Sequence, residues 1–141
     1  MMEVTKRSGT SAAAGNDTLL RFSLKLDGIV SGLVAALSLL GASALDPLLG
    51  LPAWLHWAQG AFLAVYAAGL WYAGTRPAVI RWIAVSAVVL NAVWAVGCIA
   101  IIAAGRSWFP VTAFGYAYVG FIGIAVTVFG AMQYAGLGRA R

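Results

Sequence analysis

Asp27 is the one acidic side chain inside a long apolar run, Leu19 to Leu45 (LLRFSLKLDGIVSGLVAALSLLGASAL). A carboxylate in such a setting has three uses. It can tie helices together by accepting hydrogen bonds, exchange a proton, or hold a cation. The charged form at bilayer depth costs on the order of 3 kcal/mol, so the group must turn inward and either bind a proton or find a partner. At a rise of ~1.5 Å per residue, Asp27 lies roughly 12 Å into its helix, well below the headgroups. Lys25, two positions away, projects to another face and is expected to snorkel to the interface. Asn91 sits at about the same depth in the third apolar run, on a helix running in the same direction, and is the strongest partner for Asp27. Arg81 is the ionic alternative.

The remaining reactive groups are few. His56, in Trp54-Leu55-His56-Trp57, is the single histidine and reads as an interfacial polar residue among tryptophans. No Cys, His or carboxylate beside it would complete a metal site. Axial ligation of a haem or chlorin is the one cofactor role it leaves open, and neither a cofactor nor a metal is expected. Cys98 is the sole cysteine, so no intrachain disulfide can form, and it reads as a small residue packed between helices. Gln59 and Gln133 fall near opposite membrane faces, as hydrogen-bonding or interfacial groups. There is no Ser-His-Asp set, carboxylate pair, phosphate loop or HExxH motif, so no catalytic residue can be named.

These groups must be positioned by membrane-spanning helices. Of 141 residues, 62% are hydrophobic and 9% charged, too few polar groups to cover a soluble domain. The net charge of +5 records topology rather than a nucleic-acid partner. Lys6, Arg7, Arg21, Lys25, Arg76, Arg81, Arg139 and Arg141 all fall on one side of the expected membrane, and Arg106 falls on the other. By the positive-inside pattern both termini are cytoplasmic.

Four apolar runs predict four helices, at about 18–44, 54–74, 79–104 and 111–135. Residues 1–17 read as a disordered polar tail and 137–141 as a short basic one. Ala42-Ser43-Ala44 resembles a signal-peptidase site, but the preceding apolar region is too long and carries Asp27, so an uncleaved span is expected. Asp46-Pro47 and Leu49-Gly50-Leu51-Pro52 read as an outer turn, because proline stops a helix. Short connections predict antiparallel neighbours and an up-down-up-down all-α bundle. Small residues should let the helices approach closely: Gly28 and Gly32 in the first, Ala84, Ala87, Asn91, Ala95 and Cys98 in the third, and Ala113, Ala117, Gly120, Gly123, Thr127 and Gly130 in the fourth. Leu26-Asp27-Gly28 echoes Leu90-Asn91-Ala92, and Tyr72-Ala73-Gly74 echoes Tyr134-Ala135-Gly136. A duplicated hairpin would make Asp27 and Asn91 counterparts facing each other.

Leu24-Lys25-Leu26-Asp27, Leu49-Gly50-Leu51-Pro52, Thr75-Arg76-Pro77, Asn91-Ala92-x-Trp94, Pro110 with Thr112, and the Gly136–Arg141 tail occur in this order. The pattern resembles a family of small, uncharacterised four-helix integral membrane proteins of bacteria, over about Leu20 to Arg141. DoxX-like proteins are similar in size and topology only. The resemblance implies the bacterial inner membrane and carries no activity to transfer. The leading functional expectation is a structural or accessory membrane protein, a subunit of a larger complex or a homo-oligomer. The alternative is a small proton- or cation-coupled transporter using Asp27, similar to small multidrug resistance proteins in span number and in an acid in the first helix. A third is a cofactor holder using His56.

Overall fold

The computed structural model describes residues 16–140. The tail expected over 1–17 lies outside them except for Asn16 and Asp17, as does Arg141. Every regular element among the described residues is helical: α1 (Thr18–Leu49), α2 (Ala53–Thr75), α3 (Arg81–Ala104) with a 3-10 turn at Gly105–Ser107, and α4 (Ala113–Arg139). Three segments, Thr18–Leu49, Arg81–Ser107 and Ala113–Arg139, are long and apolar enough to cross a membrane. α2 falls below that mark. Its His56 and Gln59, and the tryptophans and tyrosines along it, lower its mean hydropathy.

Two helix ends differ from expectation. α1 does not stop at Ala44 but continues through Pro47 to Leu49. The bond that Pro47 forfeits would have reached the Ser43 carbonyl, and both residues lie on the exposed face near the helix end. The loss therefore falls outside the packed stripe. What ends α1 is Gly50, in the left-handed region at φ 70°, its N–H bonded to the Asp46 carbonyl. Asp46 is not a turn residue either: its carboxylate accepts from the Ala53 N–H at 3.0 Å and caps the start of α2. At the far end α4 runs on to Arg139, so most of the expected basic tail is helical. Asp17 does not cap α1 with its side chain but pairs with Arg21 at 2.9 Å.

Contacts at the ends define the pairing. Arg21 of α1 donates to the carbonyls of Gly74 (3.1 Å), Arg76 and Pro77 (2.6 Å), closing the last turn of α2 with a cation where the helix dipole favours one. Ala35 lies against Gly60 further along, so α1 and α2 are antiparallel. Cys98 lies against Gly123 and Asn91 against Gly130, which makes α3 and α4 antiparallel too. α4 also packs along α1. A Cβ on Gly136 would stand 2.8 Å from the Leu20 Cα, and one on Gly115 would stand 2.0 Å from the Leu49 carbonyl. Thr112 locks this end, donating its hydroxyl to the Leu48 carbonyl at 2.7 Å and its N–H to that of Leu49 at 3.1 Å.

α2 and α3 are sequential yet barely touch, contrary to the expectation for short connections. The reason is side-chain size. Gly28 and Gly32 bring α1 onto Ala67 of α2, whereas α2 meets α3 through the Phe62–Trp94 ring pair, which holds the backbones apart. Gly69 and Gly97 meet nothing within 4 Å. The expected small-residue face of α4 is also only partly used. Gly123 packs on Cys98, but Gly120 faces open space and Ala113, Ala117 and Thr127 are exposed. The buried face of α4 is instead Gly115, Val119, Phe129, Gln133, Gly136 and Leu137.

Two apolar clusters result. One gathers Leu20, Leu24, Leu70, Ala73, Ala84, Ala87 and Leu137 at the end where Arg21 binds α2. The other gathers Leu45, Leu49, Leu51, Cys98, Val111 and Val119 at the opposite end. Between them lies a polar layer.

Candidate functional site

Asp27 is 1% exposed, and all four helices reach it. From its own helix, Ser31 is one turn on and donates to Oδ1 at 2.8 Å. From α2 the Tyr66 hydroxyl donates to Oδ2 at 2.9 Å. From α3 the Asn91 amide donates to Oδ2 at 3.0 Å, and from α4 the Gln133 amide does so at 2.8 Å. Asn91 uses its second N–H on the Gln133 carbonyl oxygen at 2.9 Å, closing a triangle of Asp27, Asn91 and Gln133.

The stoichiometry decides what this group can do. An ionised carboxylate has about four lone-pair positions and no donor. Four donors meet it here, one on Oδ1 and three on Oδ2, so the arrangement suits the acceptor-only form, with Oδ2 crowded and one position on Oδ1 still open. Hydrogen bonds to a charged acceptor are about twice as strong as neutral ones. In a low-dielectric layer each donor would also be costly to strand. Among the described residues no cationic side chain bonds to Asp27. Among the described residues the ion pair is Arg21–Asp17, and Arg81, the ionic alternative, is exposed at the start of α3. Lys25 lays its stem on Gly74, toward the end of α2.

A small void of about 40 Å³ adjoins the carboxylate, lined by Asp27, Tyr66, Asn91, Phe62, Trp94 and Phe129 among others. Toward the opposite end, in the gap left between α2 and α3, lies a larger cavity of about 430 Å³. Phe62, Trp94 and Ile122 line both. Phe62 stacks on Trp94 at 5.4 Å between centroids and on Tyr66 at 6.0 Å. A run of ring contacts therefore leads from the large cavity to the hydroxyl that bonds Asp27.

The polar groups of the large cavity sit at its outer part. Gln59 donates to Ser38 Oγ at 3.1 Å and to the Tyr118 hydroxyl at 2.9 Å, joining α1, α2 and α4. His56 corrects the sequence reading. Trp54 and Trp57 are exposed, but His56 is 1% exposed and turns inward, edge-on to Tyr118 at 6.4 Å. Its Nε2 is buried with no hydrogen-bond partner. Among the described residues no three His, Cys, Asp or Glu gather as metal ligands.

The expected pair, Asp27 and Asn91, meets directly. Gly28, Gly32 and Gly123 lie at helix contacts, and Gly120 does not. Sequence reasoning placed Gln133 near a membrane face rather than at this centre, and it passed over Ser31, Tyr66 and Tyr118. Ser31 had a usable signal, standing four residues after the buried acid on the same helical face. Tyr66 is a tyrosine in mid-helix rather than at an aromatic belt. Compared with protein families, with curated proteins and with solved structures, the chain finds no match in any of the three.

Proposed function

We propose that this chain is a small accessory protein of the bacterial inner membrane, a four-span antiparallel bundle acting as a subunit of a larger complex or as a homo-oligomer. The observation that carries the reading is the set of four donors around Asp27. The one acid buried within the spans is occupied by donors from all four helices, so its role is to hold the bundle. α2 serves as the fourth span. Its 23 residues extend about 34 Å at the helical rise, enough for the ~30 Å hydrocarbon layer, and it lies antiparallel along α1. Arg21, Lys25, Arg76, Arg81 and Arg139 belong to one end of the helices and Arg106 to the other, which supports cytoplasmic termini. Gentle extraction from cells at native expression, followed by sizing and mass spectrometry, is expected to return the chain in a particle larger than the monomer. Recovery of monomer alone would overturn the proposal.

A second reading, a small proton- or cation-coupled carrier, is favoured by one feature. The Phe62–Trp94 pair separates the large cavity from Asp27, as a gate would. Asp27→Asn separates the two readings in proteoliposomes. A carrier loses its coupled uptake, whereas an accessory protein keeps its association.

A further inference from the structure

We infer that the cavity between α2 and α3 binds a lipid-soluble aromatic alcohol of the phenol class, its hydroxyl held by His56 and Tyr118 and its ring laid along Phe62 and Trp94. This goes beyond the accessory reading and does not rest on it.

The cavity's volume of about 430 Å³ lies within the range of about 300–1,000 Å³ usual for small-molecule sites. Its lining is largely apolar and includes no charged side chain, which suits an uncharged occupant. Its most informative atom is His56 Nε2, buried and without a partner. With the imidazole's proton on Nδ1, Nε2 presents a lone pair. An occupant that meets this lone pair brings a donor. The Tyr118 hydroxyl, which accepts from Gln59, keeps its own proton to offer, so the occupant must also accept. One hydroxyl does both, and His56 and Tyr118 line the same cavity, their rings 6.4 Å apart between centroids. The nearly parallel Phe62 and Trp94 rings, 21° apart, offer flat faces suited to an aromatic ring. Because α2 and α3 hardly meet, the cavity opens between helices, on the side where a molecule dissolved in lipid would arrive.

The test uses the full chain in nanodiscs, with 2-naphthol and 2-methoxynaphthalene as probes and equilibrium dialysis as the readout. The two probes share a ring system, but only the first can donate. 2-Naphthol should bind saturably, one per chain, about tenfold tighter than the ether, as one lost hydrogen bond implies. His56→Leu should remove that preference while leaving the ether's binding in place. Gly97→Leu places a side chain into open space beside the cavity and should abolish binding of both. Uptake equal to that of empty nanodiscs overturns the proposal, as does a preference that survives His56→Leu or binding undiminished in Gly97→Leu. The comparison of the two probes on the unaltered chain decides the matter even if a variant misfolds.

Discussion

At the scale of the residue, two buried polar side chains are treated in opposite ways. Asp27 accepts four hydrogen bonds, while His56 Nε2 makes none. An unpartnered buried nitrogen costs about 1–3 kcal/mol, and leucine has nearly the volume of histidine. His56→Leu is accordingly expected to raise the melting temperature in mild detergent, by the equivalent of about 1 kcal/mol. A lower melting temperature would show that the imidazole has a stabilising partner after all. Asp27 and Asn91 could be paired from the sequence because depth along a helix follows from residue count. Gln133 could not be, since its depth depends on α4 continuing to Arg139 past Gly136. His56 was misread for a related reason. Neighbouring tryptophans suggest an interface, but residues one and two apart on a helix point to different sides.

At the scale of the element, helix number and direction were legible because long apolar runs with polar breaks have one solution in lipid. Helix ends and helix faces were less so. Pro47 reads as a stop, yet its lost bond falls on an exposed face and α1 passes it. Gly50 is the true terminator, and there a side chain has no room: its φ is 70°, and a Cβ would stand 1.9 Å from the Pro110 carbonyl oxygen. Gly50→Ala should destabilise by at least the ~1–2 kcal/mol of a left-handed alanine, and more through displacement of the loop before α4. Gly120→Ala, where a Cβ meets nothing within 4 Å, should be neutral or stabilise by roughly 0.5–1 kcal/mol. Thermal melts of the two variants side by side check the contrast, and equal effects would mean that the two helix ends do not cross as described. Which small residues serve as contacts was illegible for α4, because glycine and alanine are distributed around much of its circumference.

At the scale of the whole molecule, the order of packing matters more than the number of helices. α1 touches both α2 and α4, α4 holds α3, and α2 stands off from α3 behind a pair of rings. The open seam is the cavity, and the polar layer below it is where the four helices are fastened together. Each helix brings one donor to Asp27, so the layer fixes their mutual register as a single unit. The most direct test of that fastening is a double-mutant cycle between Asp27→Asn and Gln133→Leu, read by reversible unfolding in micelles. Contacting polar pairs between membrane helices couple by about 0.6 kcal/mol on average, and the charged acceptor should place this pair at or above that value. A coupling energy of zero, with the two losses simply adding, would contradict the claim that the buried acid binds the helices into one body.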